Sequence, residues 1–470
     1  MEEPFDNYPD PEILTLTRRF EKMMLNGEHY FFDVDEYEEI IDFYLFKNDN
    51  KKANSCIHFA LEQHPGNVNL LLRKAQMLIS RDKTENALQI LNDLDKYDST
   101  DHEVHLMKGN LYSQLDKPEK AIEEYLLASR MEPEDLDEIY SNISFEYENI
   151  GKYEKAIDYL ILALENNPSN EGALYEISFC FEISQQTERA VRFLEKYLDN
   201  SPFSKAAWFN LGIAYSNLEL YEKAIEAYDY AIAIDETFAS AYFNKANCYA
   251  NLNEYKKAIE TYLETAFYED PEPLTYYYIA ECFEKMEDYN AAITYYKKAI
   301  SLDPDFADAW LGIGMAHDAL VQYQLALTYI EKAIAISPTI PDYWFIQGDI
   351  QIKFNRINDG IKSYLKVIEM EPENSEIWLE LSIVYSDLED YDKAESTLRE
   401  GIKWHESNPD FYFSIAFYLL KLGKTRQAYE KLDKAMSLDP EGYQRMFDLF
   451  PEMKDNANVN GIIETYKQRK

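Results

Sequence analysis

From residue 206 to residue 236 the chain reads AAWFNLGIAYSNLELYEKAIEAYDYAIAIDE, with its apolar residues at helical intervals. Trp208, Leu211, Tyr215 and Tyr228 are the large ones; Gly212, Ala224 and Ala231 are the small ones. Polar residues fill the places between, which predicts amphipathic helix. The pattern returns 34 residues later in SAYFNKANCYANLNEYKKAIETYLETAFYED from Ser240, and again from Asp308, Asp342 and Glu376. An internal period of this length predicts a stack of similar helical units.

Traced in both directions, the register places unit starts at 34, 68, 102, 137, 171, 205, 239, 273, 307, 341, 375 and 409. Position 20 of a unit is then Ala53, Ala87, Ala121, Ala156, Ala190, Ala224, Ala258, Ala292, Ala326, Gly360, Ala394 and Ala428. Two antiparallel helices approach closely only where small side chains meet at the crossing. Position 8 (Gly212) and position 20 (Ala224) supply that, while large residues at positions 4, 11 and 24 fill the space beside it. Proline at position 32 helps to end the second helix.

This pattern resembles the tetratricopeptide repeat family, whose 34-residue helix–turn–helix carries W-x2-L-G-x2-Y, then A-x3-F, then P. Trp208, Trp310, Trp344 and Trp378 stand at the family's tryptophan position, and Gly109, Gly212, Gly314 and Gly348 at its glycine. Pro65, Pro133, Pro168, Pro202, Pro304, Pro338, Pro372 and Pro440 stand at its closing proline. Residues 68–101 depart from the pattern, with Leu71 and Leu78 for aromatics and Ser99 for proline. The resemblance implies an all-α fold, a right-handed α–α superhelix of about twelve repeats over 34–442. Residues 1–33 and 443–470 are then capping segments. Met446, Phe447, Leu449 and Phe450 are expected to dock on the last repeat, the alternative being a detachable partner-binding helix.

The charge narrows the partners. Against 46 Lys+Arg stand 87 Asp+Glu, a formal net charge of −41. Such a surface repels phosphate backbones and anionic membranes, so nucleic acid and membrane are not expected partners. The start MEEPFDNYPDPEIL lacks the pattern of a signal peptide, and no apolar run reaches the roughly 20 residues of a membrane span, which predicts a cytoplasmic protein. The cysteines Cys56, Cys180, Cys248 and Cys282 have no CxxC spacing, so neither metal site nor disulfide framework is expected.

No catalytic constellation emerges. His29, His58, His64, His102, His105, His317 and His405 are scattered, and His317 stands at aromatic position 11, where a packed imidazole is expected. No glycine-rich phosphate loop is present, and the repeats fill the chain. The expectation is a protein without enzymatic activity, cofactor or metal.

In the resembled family, positions 2, 5, 6, 9, 12 and 13 line the concave surface. Here position 5 is Tyr175, Phe209, Phe243 and Tyr277 in consecutive repeats. Asparagine recurs at positions 6 and 13 as Asn142 with Asn149, Asn210 with Asn217, and Asn244 with Asn251, with Asn247 between the last two. Asn244, Asn247 and Asn251 share one helix face, and their amides could hold the backbone of an extended peptide. Similar asparagine ladders serve that purpose in the superhelix of O-GlcNAc transferase. The family's carboxylate clamp, by contrast, is ruled out over 137–408, because positions 2, 5, 6 and 9 there hold no Lys or Arg. They hold acids, Glu281 and Asp349 among them.

These features point to a cytoplasmic scaffold or adaptor that binds a neutral or basic protein segment on the concave surface. A self-assembling structural protein and a regulatory subunit of an enzyme complex remain alternatives. The oligomeric state stays open, with a monomer slightly favoured by the charge.

Overall fold

The computed structural model describes residues 11–26, 30–81, 83–96, 102–131 and 133–468. His29, Ser99 and residues 1–10 of the expected N-terminal cap lie outside the described residues. Among the described residues every regular element is a helix. After α1 (Pro11–Asn26) come twelve antiparallel pairs. These are α2 (Val34–Phe46) with α3 (Asn50–Gln63), α4 (Val68–Ile79) with α5 (Thr84–Lys96), α6 (His102–Gln114) with α7 (Pro118–Ser129), and α8 (Leu136–Asn149) with α9 (Tyr153–Asn166). Then follow α10 (Glu171–Ile183) with α11 (Thr187–Asn200), α12 (Lys205–Asn217) with α13 (Tyr221–Ile234), α14 (Ala239–Asn251) with α15 (Tyr255–Tyr268), and α16 (Pro273–Lys285) with α17 (Tyr289–Leu302). The last four are α18 (Ala307–Ala319) with α19 (Tyr323–Ile336), α20 (Pro341–Lys353) with α21 (Ile357–Met370), α22 (Ser375–Asp387) with α23 (Tyr391–Gly401), and α24 (Pro409–Lys421) with α25 (Thr425–Leu438). The chain closes with α26 (Tyr443–Leu449), a 3-10 turn (Pro451–Asp455) and α27 (Ala457–Lys467). The helices group into two compact units, Met1–Glu236 and Thr237–Lys470.

The small residues at position 20 are buried in all twelve pairs, ten of the eleven alanines at 0% exposure and Ala190 at 4%. Position 8 faces them and also the ring at position 24. A Cβ added at Gly109, Gly212 or Gly348 would lie about 2.5 Å from Tyr125, 2.5 Å from Tyr228 or 2.6 Å from Tyr364. The missing methyl therefore lets an aromatic ring lie flat across the first helix of the same pair. Leu211, Ala214, Tyr228 and Ala231 are buried around this contact in the α12–α13 pair.

Each first helix ends in the same way. The N–H at position 16 donates to the carbonyl at position 11, as in Leu220 to Tyr215, Gln322 to His317 and Lys424 to Leu419 at 2.8–2.9 Å. This is the six-to-one bond of a Schellman ending, and it requires a left-handed residue at position 15. That residue has positive φ in every described repeat turn. Only Gly151 and Gly423 are glycines; the others include Asn253, Glu287 and the β-branched Val321 at φ 59°.

The junctions between pairs use tryptophan. Nε1 of Trp208, Trp310, Trp344 and Trp378 donates at 2.9 Å to the carbonyl of Pro202, Pro304, Pro338 and Pro372. Tyr412 replaces the indole in the last pair and donates to the Glu406 carbonyl at 2.9 Å. Position 4 thus ties each of these pairs to the turn that closes the preceding one.

Both ends are covered. On α1, Phe20 is fully buried and meets Phe32, Tyr37, Tyr44 and Phe59 at ring-centroid distances of 6.0–6.4 Å. At the other end Met446, Phe450, Met453, Val459 and Ile463 are buried. Phe447 is half-buried, but Leu449 is 47% exposed and points away from the core it was expected to join. With α23, α25 and the cap all packed on α24, every residue from Phe411 to Leu419 is buried.

Candidate functional site

The lysines of the repeats explain why the first-helix face is acidic. Lys120, Lys155, Lys223, Lys257 and Lys393, all at position 19, lie 5.2–5.5 Å from the ring centres of Tyr112, Tyr147, Tyr215, Tyr249 and Tyr385 at position 11. Arg189 does the same over Phe181 at 5.7 Å. These cations sit over the rings at the turn.

In the second unit, α16, α18 and α20 enclose a cleft of about 540 Å³. Glu281, Glu284, Asp308, Asp318 and Asp349 line it, against Lys285 and Lys353. Tyr277, Tyr296, Leu311, Met315, Ile346 and Ile350 supply apolar surface. Lys353 pairs with Asp318 at 2.7 Å through one carboxylate oxygen, and the other oxygen of Asp318 is buried without a partner. Burial lifts the Glu281 carboxyl above the ordinary range; a hydrogen bond from Tyr277 offsets part of that, while Glu284 adds to the rise. Asp349 is raised by burial too, although the Tyr364 hydroxyl donates to it. Glu380 on α22 is raised by burial and by the charges of Asp349 and Glu376. A cation entering the cleft would favour the ionised forms of Glu281 and Asp349.

The first unit carries two cavities that share α10. One, about 670 Å³, lies between α8 and α10 and is lined by Asp137, Glu138, Glu148, Glu171 and Glu176 with no lysine or arginine. Asp137 accepts from the amides of Asn167 and Asn170 at 2.9 Å each. Glu148 is lifted by burial and by the Glu176 charge, against hydrogen bonds from Ser144 and Cys180. The other cavity, about 220 Å³, lies between α10 and α12 and is mostly apolar: Tyr175, Phe179, Phe181, Leu194, Phe209 and Ile213, with Glu182 as its one charge.

The residues expected to hold a peptide separate into four sets. Tyr277, Glu281 and Asp349 meet in the acidic cleft, and Tyr175, Phe209, Asn210 and Asn217 line the apolar cavity. Asn142 lines the acidic cavity of the first unit. Asn149, Phe243, Asn244, Asn247 and Asn251 line none of these three cavities. Several asparagine amides are engaged within the chain. Asn210 is 4% exposed and donates to the Leu174 carbonyl of the preceding pair at 3.1 Å. Asn247 accepts from the buried Tyr262 hydroxyl, as Asn110 does from Tyr125 at 2.7 Å. Asn244 and Asn251 donate to the carbonyls of Ser240 and Asn247, one turn back, at 3.1 and 2.9 Å. Phe243 packs edge-on against Tyr262 and Tyr278. Position 9 thus has a structural duty wherever position 24 is a tyrosine whose hydroxyl it receives, as at Asn110, Asn247 and Asp349.

Sequence reasoning missed Phe145, Phe179, Ile213 and Met315, which stand in the same position-9 column and line these cavities. Reading that column on its own would have found them: it alternates between polar partners for tyrosine and large apolar groups.

His317 is buried, bonded through Nδ1 to Gln322 at 2.8 Å and stacked on Tyr329. His105 contacts Glu124 at 2.8 Å beside Lys108, whose ammonium lies 2.7 Å from Glu124 and 2.9 Å from Asp95. This buried charge cluster joins α5, α6 and α7. All four cysteines are buried and none is in a disulfide. Among the described residues no group of His, Cys, Asp and Glu could hold a metal ion, and no helix is long and apolar enough to cross a membrane.

Profiles of the tetratricopeptide repeat match residues 102–135, 137–170, 206–238, 227–260, 273–306, 307–340, 341–374 and 363–396. The chain belongs to the tetratricopeptide repeat family, a class of protein-interaction scaffolds that bind proteins or peptides. Among curated proteins, the TPR repeat-containing protein YpiA of Bacillus subtilis (strain 168) is 24% identical over 124 residues. That match spans 26% of this chain and 29% of the relative's length. Among solved structures, the C-terminal part of a TPR repeat-containing protein from Cytophaga hutchinsonii is 19% identical, with TM-score 0.44, over 52% of this chain and 99% of that one. A tetratricopeptide repeat protein from Parabacteroides merdae is 16% identical, with TM-score 0.41, over 53% and 98%. YrrB, a TPR protein with an unusual peptide-binding site, is 19% identical, with TM-score 0.33, over 38% and 93%.

Proposed function

We propose that this protein is a non-enzymatic, cytoplasmic scaffold that holds a basic segment of another protein against its first helices. One observation carries the reading: the cleft of the second unit brings five carboxylates together against two ammonium groups over an apolar floor. Three carboxyls on these helices and on α22, Glu281, Asp349 and Glu380, are held back from ionising by their own burial. Lysine or arginine side chains would relieve that cost, and their alkyl stems would lie on Leu311, Met315 and Ile346. In this reading the remaining polar atoms of Asn217 on α12, and of Asn244 and Asn251 on α14, are left to meet a partner backbone. The formal charge of −41 favours a monomer that neither nucleic acid nor membrane attracts. Four buried thiols without disulfides suit a reducing compartment.

The test is fluorescence anisotropy with a labelled short lysine-rich peptide containing leucines, and with its glutamate counterpart. The lysine peptide binds, the glutamate peptide does not, and added salt weakens the complex. Glu281→Lys with Asp308→Lys weakens it on the order of tenfold or more. Equal binding of both peptides, or indifference to the double charge reversal, would overturn the reading.

A further inference from the structure

The face of α10 breaks the rule that repeat surfaces are polar. Tyr175, Phe179 and Ile183 stand at i, i+4 and i+8, at 42%, 48% and 49% exposure, with Phe145 of α8 at 55%. Three large apolar groups on one helical stripe, beside an open apolar cavity, are an uncovered patch rather than scattered surface residues.

The chain itself displays what covers such a patch. Position 9 carries phenylalanine in three repeats: Phe145, Phe179 and Phe417. On α24, Phe450 of the C-terminal cap stacks on Phe417, ring centroids 4.0 Å apart and planes 14° apart. Lys421 lies over the Phe417 ring at 5.2 Å, so a cation joins the aromatic pair. Phe417 is left 6% exposed. The segment that does this is short and irregular, α26 followed by the 3-10 turn at Pro451–Asp455. At Phe145 and Phe179 the same helix position carries the same ring and is left open to solvent by about half.

The surroundings state the charge of the missing occupant. Phe145 lines the cavity of Asp137, Glu138, Glu148, Glu171 and Glu176, which contains no cationic side chain. Glu176 adjoins Tyr175 on α10 and so links the acidic cavity to the apolar one. An apolar group seated at Phe179 therefore has neighbours in its own chain that lie over carboxylates.

We propose that α8, α10 and α12 form a bipartite docking site for a partner protein's short segment in which an aromatic or large aliphatic residue stands next to lysine or arginine. The apolar side chain enters the cavity of Tyr175, Phe179, Phe209 and Ile213. The basic side chain reaches the carboxylates around Phe145. This site rests on the reading of the first helices as the partner surface, and it adds a requirement that the acidic cleft of the second unit does not impose: an apolar anchor.

The experiment is selection of a phage-displayed random peptide library on the full chain, followed by anisotropy of the enriched peptides on variants. The expected consensus pairs a large apolar residue with an adjacent or nearby basic one. Phe179→Asp is expected to weaken the binding at least tenfold and Glu176→Lys severalfold. Both positions are exposed, and unchanged far-ultraviolet dichroism and melting confirm an intact fold. Glu281→Lys with Asp308→Lys leaves this class of peptide bound. Enriched peptides that ignore Phe179→Asp but are lost on the charge reversal in the second unit would overturn the bipartite site while the scaffold function stands. A library that yields no peptide sensitive to either set of changes would overturn both.

Discussion

The first helices of the two units are built on the same columns and present different chemistry. In the first unit α10 shows Tyr175, Phe179 and Ile183 beside an acidic cavity. In the second, α16, α18 and α20 show Glu281, Glu284, Asp308, Asp318 and Asp349 over a tyrosine and aliphatic floor. The packing columns hardly differ between them: Ala224 and Ala326 are both fully buried, and Gly212 and Gly348 both make room for a tyrosine. The lesson is a division of labour within the repeat. Positions 8, 20 and 24 hold the pair together, so positions 5, 6, 9 and 12 can change their chemistry from one repeat to the next wherever they do not serve as hydrogen-bond partners within the chain, as Asn210, Asn247 and Asp349 do.

The comparison is broken most forcefully at position 9. Phe450→Ala removes the ring that covers Phe417 and is expected to cost about 3 kcal/mol, read as urea unfolding of the C-terminal cap. Phe179→Ala, at the same helix position with no covering ring, is expected to change stability by less than about 0.5 kcal/mol. Equal losses at the two sites would mean that the patch on α10 is already covered. The shared columns give the next effect. Gly212→Ala and Gly348→Ala each push a methyl into a tyrosine ring and are expected to destabilise their own units by about 1–3 kcal/mol. Denaturation of each variant checks that the two losses agree.

A smaller effect has the opposite sign. Val321 is a branched, exposed residue held at φ 59° where Gly151 and Gly423 stand in other repeats. Val321→Gly is expected to raise stability by about 1 kcal/mol, visible as a higher melting temperature. The smallest effect is with pH. Burial raises the native carboxyls of Glu281, Asp349 and Glu380 above their unfolded values, so these groups bind protons more tightly when folded. Their stabilising contribution is complete below the ordinary carboxylate range and is lost as pH rises through the raised native values. Mild acidification from neutrality should therefore raise the melting temperature of the second unit and weaken its hold on a lysine peptide, because protonated carboxyls no longer attract cations. Parallel thermal scans and anisotropy at falling pH check both directions.

The fold was legible because it is written many times. A single Ala224 means little, but the same small residue in every copy identifies a helix crossing without any structure. The Pro–Trp bond was open to the same treatment: Pro202 and Trp208, Pro304 and Trp310, Pro338 and Trp344, and Pro372 and Trp378 keep one spacing. The site was harder to read because its residues do not recur. Asparagine at positions 6 and 13, with Asn247 between at position 9, looked like a ladder, yet Asn210 is turned to a neighbouring backbone and Asn247 to a tyrosine hydroxyl fifteen residues on. Periodicity reports which face a residue occupies, whereas its hydrogen-bond partner depends on the residue opposite. Tyr262 and Leu174 decide those bonds, and neither lies on the face being read. The turn residue Val321 was missed for a related reason: side-chain type disguised a backbone requirement that every described copy shares.

The most direct test of the account is hydrogen exchange on the full chain with and without a selected basic, apolar peptide. The account predicts added protection, or shielded side chains in a matching footprint, confined to the first helices, on α8, α10 and α12 and on α16, α18 and α20. Protection on the second helices α11, α17 and α19 instead, or no change at saturating peptide, would contradict it.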